Sequence, residues 1–116
     1  MIRKPEEFSK EIRKNARGGE GEVTFAAIWK PNSEMKSHTR MYTKLILEPG
    51  CSIGEHTHEN EEEIFYILKG TAETIDNGKP VILHAGESSI TRSGEAHSLK
   101  NAGKDTLEVL AIVATY

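Results

Sequence analysis

At 116 residues, with 36% hydrophobic and 6% aromatic side chains, the chain can fold as one domain around a thin, aliphatic core. A net charge of −3 with no basic stripe leaves no footprint for nucleic acid. A single cysteine, Cys51, excludes an internal disulfide framework, and no apolar run is long enough to span a bilayer.

The N-terminal stretch is charged, broken by Pro5 and without the apolar core of a signal peptide, so a cytoplasmic location is expected. Residues 5–15 are predicted as a short helix, because Phe8 and Ile12 stand four apart and Pro5 lies near the start. Gly18, Gly19 and Gly21 end it, giving an N-terminal arm over 1–21 ahead of a barrel over 22–116. Within the segment 15–21, Arg17 could reach an anion, although a flexible link is the preferred reading.

From residue 22 onward helical periodicity is almost absent. Short β-rich runs replace it at 22–29, 40–48, 63–69, 71–76, 80–84, 87–91, 97–101 and 106–115, separated by glycine-bearing turns and a polar loop at 30–39. Asp76-Asn77-Gly78 predicts a tight hairpin between two of them. Many short strands at regular spacing predict an all-β sandwich or barrel.

Four side chains stand out: His56, His58, Glu63 and His97. Alternate residues of a strand share a face, so His56 and His58 can point at one ion. Taken alone, the pair reads equally well as surface or hydrogen-bonded packing. Glu63 belongs to an acidic stretch that otherwise reads as a solvated loop, and its position seven before Gly70 favours it over Glu61 or Glu62. Three imidazoles and a carboxylate suit a divalent transition metal. His38 and His84 read as surface residues, and Cys51 as a small buried thiol. Phe65 shares strand parity with Glu63 and should face inward beside the site, with Tyr66 facing out. Lys44 reads as lying on a solvated strand face, with an anion-holding role as the alternative.

Two motifs carry a family resemblance. Gly50, His56, His58, Glu63 and Gly70 match the pattern G-x5-H-x-H-x3,4-E-x6-G throughout. Gly86, Gly94, His97 and Asn101 match G-x5-P-x-G-x2-H-x3-N, with Arg92 in place of the proline. In these residues the chain resembles a small single-domain member of the cupin superfamily. The resemblance implies a double-stranded β-helix, a jelly-roll barrel of two antiparallel sheets, here with a short N-terminal helical segment. It also implies His56, His58, Glu63 and His97 as ligands of manganese, iron, nickel, cobalt or zinc.

The same resemblance implies a metal-dependent enzyme acting on a small oxygen-rich molecule, of dioxygenase, decarboxylase or isomerase type. Glu63 argues against thiol dioxygenases, which generally use three histidines alone. The alternative is a non-catalytic module binding a metal or small ligand, and no general acid or base is identifiable beyond the four ligands. A small-molecule partner and a homodimer are expected, the latter because open jelly rolls expose strand edges that pairing can cover.

Overall fold

The computed structural model describes residues 1–116. Its strands are β1 (Ser9–Lys14), β2 (Glu22–Trp29), β3 (Thr39–Leu47), β4 (Ser52–Thr57), β5 (Glu61–Lys69), β6 (Thr71–Asp76), β7 (Lys79–His84), β8 (Ser88–Thr91), β9 (Ala96–Asn101) and β10 (Leu107–Thr115). They form a six-stranded sheet, ordered β1-β2-β3-β10-β5-β8, and a four-stranded sheet, ordered β4-β9-β6-β7. Neighbouring strands run antiparallel, for example β5 and β3 on either side of β10. This is the all-β jelly roll expected from the strand pattern and the motifs.

The core lies between the sheets because inward positions recur with period two. In β10 the buried residues are Leu107, Val109, Ala111 and Val113. The first three meet Leu45 and Leu47 of β3 and Phe65 and Ile67 of β5, while Ile53, Ala72, Leu83 and Leu99 close the core from the other sheet. Each such leucine, valine or phenylalanine contributes roughly 1.5–3 kcal/mol by leaving water. Asn77 (φ 50°) and Gly78 (φ 86°) make the tight β6–β7 hairpin, the left-handed pair that the sequence predicted there.

The predicted helix over 5–15 is corrected. Helical geometry is confined to a single 3-10 turn at Pro5–Glu7, Ala16–Gly18 is a tight turn with Arg17 left-handed, and residues 9–14 form β1. Phe8 and Ile12 have no core to bury a helical stripe against, and Ile12 is 61% exposed. Pairing with β2, from Ser9 opposite Ala27 to Lys14 opposite Glu22, satisfies the backbone instead. All six β1 residues are exposed, so this edge strand has no apolar alternation to advertise it. Its lysines and arginine are the usual guard against edge-to-edge association.

The turn after β1 is pressed onto β4. A Cβ added at Gly54 would collide with the backbone carbonyl of Arg17, and one at Gly19 with that of Ser52. Both collisions are with backbone, which cannot rotate away. Gly54→Ala is therefore expected to cost about 1–3 kcal/mol. That corresponds to a melting temperature lower by roughly 5–15 °C in thermal unfolding.

Candidate metal centre

Two of the four sequence-selected residues sit in rows that elsewhere form the core. On β5 the inward row is Glu63, Phe65 and Ile67, and on β9 it is His97, Leu99 and Asn101. Glu63 and His97 thus take the end positions of apolar rows, which explains their burial at 5% and 1% exposure. His56 arrives by a different route. Between β4 and β9 the register passes from Ile53 opposite Leu99 to His56 opposite His97, three steps on one strand against two on the other. That extra residue is a β-bulge at 54–55, and it lets both Ile53 and His56 face inward. His58 follows the strand end, where its N–H donates to the Glu95 carbonyl and its carbonyl accepts from Gly94 N–H.

The four side chains converge, with one ligand atom from each all within 4.8 Å of one another. His97 Nε2 lies 3.0 Å from His58 Nε2, 3.2 Å from His56 Nε2 and 2.9 Å from Glu63 Oε1. His58 Nε2 lies 3.0 Å from the same carboxylate oxygen. The three Nδ1 atoms turn outward to fixed partners. His56 Nδ1 donates to the Gly54 carbonyl (2.8 Å) and His58 Nδ1 to the Glu61 carboxylate (2.6 Å), while His97 Nδ1 pairs with the Thr91 hydroxyl (2.8 Å).

This pattern tests whether a metal fits. A carbonyl and an ionised carboxylate only accept, so His56 and His58 carry their single protons on Nδ1 when neutral. Their Nε2 lone pairs then face each other's neighbours and Glu63, with at most one proton, on His97, to share among three acceptors. A cation in the middle satisfies all of them at once, and the outward hydrogen bonds are those that orient metal-bound imidazoles.

The electrostatics separate the histidines. The Glu63 hydrogen bond, helped by Glu61 and working against burial, raises the His58 pKa above its ordinary value. Burial lowers that of His56. For Glu63, burial pushes the pKa up, but the bonds to His58 and His97 outweigh it and hold the carboxyl below its usual range. Glu61 is held at about 2, first by the Arg40 guanidinium, which grips it through two bonds of 2.9 and 2.8 Å.

The site opens into a cavity of about 220 Å³ lined by Arg13, Arg17, Arg40, His56, His58 and Glu63 on its polar side. Phe25, Met41, Ile53, Phe65 and Val113 are among its apolar lining. Phe65 faces inward as expected and stacks flat on His97, with ring centroids 4.7 Å apart and planes 8° from parallel. Tyr66 faces out at 42% exposure. His38 and His84 are exposed and take no part in the cluster. Cys51 is half-buried against the core rather than fully enclosed. Lys44 pairs with Glu108 at 2.9 Å, away from the cavity.

Sequence reasoning passed over Thr91, Glu61 and Arg40. Glu61 was visible only as one of several acids, and Thr91 carries no signal until β8 is laid beside His97.

The comparisons agree with this architecture. The family model described as Cupin domain matches residues 43–113, which hold all four clustered side chains. An oxalate-binding protein of Thermotoga maritima is 42% identical over 113 residues, covering 97% of this chain and 93% of that protein. A solved T. maritima structure, described as a predicted oxalate decarboxylase, superposes with a TM-score of 0.95 at 40% identity, covering all of both chains. A mannose-1-phosphate guanylyltransferase of Klebsiella pneumoniae is 35% identical over 69 residues, 60% of this chain but only 15% of that protein. With the family model spanning most of the barrel and its motif residues meeting in one cavity, this chain belongs to the cupin family.

Proposed function

We propose that His56, His58, Glu63 and His97 hold a divalent transition metal, and that the chain is a metal-dependent cupin enzyme acting on a small oxygen-rich acid. The observation that carries the metal is the convergence of three imidazole Nε2 atoms and one carboxylate oxygen, with each Nδ1 turned outward to a fixed partner. When bound, a divalent ion would supply Lewis-acid polarisation of a carboxylate or carbonyl oxygen. Glu63 would supply the one negative charge in the ligand set, leaving room for an anionic ligand. Phe65 and Ile53, both buried, keep water from the inner side of the site. The cavity of about 220 Å³ lies below the roughly 300–1,000 Å³ usual for drug-sized ligands, which favours a small acid. The relative's description as an oxalate-binding protein makes oxalate the first acid to try.

A non-catalytic binder is the second reading. The polar cavity lining consists of three arginines besides members of the cluster, and arginine does not exchange protons near neutral pH. Metal analysis of protein purified without chelators, followed by an assay for oxalate consumption, separates the two. Stoichiometric metal with turnover supports the enzyme, and metal with saturable oxalate binding but no turnover supports the binder. No stoichiometric divalent metal under any loading condition overturns both. A homodimer is part of the same proposal: β8 is an open sheet edge, and Tyr66, Leu68 and Ile90 lie exposed on or beside it. Light scattering tests it.

The proposed site also fixes a pH response. Protons compete with the metal for the imidazole lone pairs, so the stability added by metal should grow as pH rises through about 6.5. The metal-free protein should show the reverse above that value. His58 has a raised folded pKa, so its stabilising contribution is complete below the unfolded value of about 6.5 and is lost as pH climbs through the folded one. His56, with a lowered pKa, titrates below that window. Melting temperatures of manganese-loaded and chelator-treated protein, measured upward from pH 6.5, should therefore slope in opposite directions.

A further inference from the structure

Three arginines line the cavity, and two are already engaged. Arg40 is held by Glu61 through two hydrogen bonds. Arg13 is bonded to Glu11 at 3.2 Å and lies 4.0 Å above the Phe25 ring. Arg17 has neither a carboxylate partner nor a side-chain hydrogen bond, although it lines the same space as His56, His58 and Glu63.

The backbone that presents Arg17 is built rather than loose. Arg17 itself adopts φ 53° and ψ 31°, a left-handed conformation that a bulky side chain seldom takes and that concentrates at ligand clamps. The conformation is fastened from both sides. Gly18 N–H donates to Asn15 O and Gly19 N–H to Ala16 O, and the Asn15 amide donates to Gly19 O. Ser52 N–H donates to Glu20 O, and Glu20 N–H returns to Ser52 Oγ. The Arg17 carbonyl packs against Gly54, whose own carbonyl accepts from His56 Nδ1. Arg17 and His56 are thus carried by two segments braced against each other.

We propose that Arg17 binds the carboxylate edge of a small dicarboxylic acid that is turned away from the metal centre, and so sets the preference for a dianion over a monocarboxylate. The charges agree. A divalent ion with Glu63 leaves one surplus positive charge, Arg17 adds a second, and the other two arginines are neutralised by their own partners. A guanidinium also matches a carboxylate in shape, offering two parallel N–H donors to its two oxygens. This inference rests on the metal-and-acid reading above.

The test is calorimetric titration of oxalate, and separately acetate, into manganese-loaded wild type, Arg17→Gly and Arg17→Lys. Glycine suits φ 53°, so Arg17→Gly removes the guanidinium without disturbing the turn; its melting temperature and manganese stoichiometry report on that directly. The expected result is oxalate binding weakened at least about tenfold by Arg17→Gly and less by Arg17→Lys, with acetate binding and manganese stoichiometry unchanged. Oxalate affinity in Arg17→Gly equal to wild type overturns the role of Arg17 and leaves the metal reading standing. So does a parallel loss of acetate or of manganese, which would make Arg17 a support of the site rather than a contact of the ligand. A wild-type protein that takes up manganese but binds neither acid overturns this inference, and one that takes up no divalent metal under any loading condition overturns the parent reading with it.

Discussion

His58→Ala is expected to abolish stoichiometric manganese binding and to remove the thermal stabilisation that manganese gives the wild type. His58 is 4% exposed and bridges two carboxylates, with Nδ1 on Glu61 at 2.6 Å and Nε2 on Glu63 at 3.0 Å. Losing a partner that only orients a metal ligand costs about 10- to 100-fold in affinity, so losing a ligand itself should cost about 100-fold or more. The metal-free protein suffers as well. Glu63 is 5% exposed and would keep only His97 as a partner. Truncating one side of a buried charged pair costs about 3 kcal/mol or more. Elemental analysis and melting curves with and without manganese measure both effects. Wild-type metal content in His58→Ala would remove this residue from the ligand set.

Phe65→Ala should be the most damaging single change to the fold itself. The ring is 2% exposed, sits between Glu63 and Ile67 in the inward row of β5, and lies flat against His97. Deleting a buried phenylalanine side chain costs about 3–5 kcal/mol in lost transfer free energy and cavity formation. In a domain of this size the melting temperature should fall by roughly 15 °C or more. A second readout follows from the stack: without its backing the His97 imidazole is free to tilt, and manganese affinity should drop by about tenfold. Phe65→Leu fills most of the space and should retain more of both properties. An unchanged metal affinity in a folded Phe65→Ala protein would show that the stack does not orient His97.

What the sequence revealed follows the physics of each element. β5 and β10 were legible because one face is buried and the other is not, which writes a period of two into the residues. β1 was not, since exposure on both faces leaves its sequence to charge and its pairing to β2. β4 was hidden too: of its six residues only Ile53 is a buried hydrophobe. The cluster of His56, His58, Glu63 and His97 was nevertheless readable, because turn glycines and local spacing hold three of its members close together in sequence. Thr91 was not assignable, and Arg17 was visible only as a possible anion contact within a flexible link, because their neighbours come from strands and turns distant in the chain. Arg17 in particular reaches the neighbourhood of His56 only through the contact between its carbonyl and Gly54.

The bulge on β4 gives the spacing of the first motif a concrete meaning. Gly50, with φ 82°, turns the chain into the strand, and His56 stands opposite His97 only after one residue more than a regular ladder would need. The five residues between that glycine and that histidine are therefore a measured length of chain, one turn plus one irregularity. A fixed gap in a motif is in this case the linear trace of a backbone defect. Substitution within it would be tolerated wherever the side chain faces solvent, as at Glu55, whereas a change in its length would rotate His56 out of the cluster.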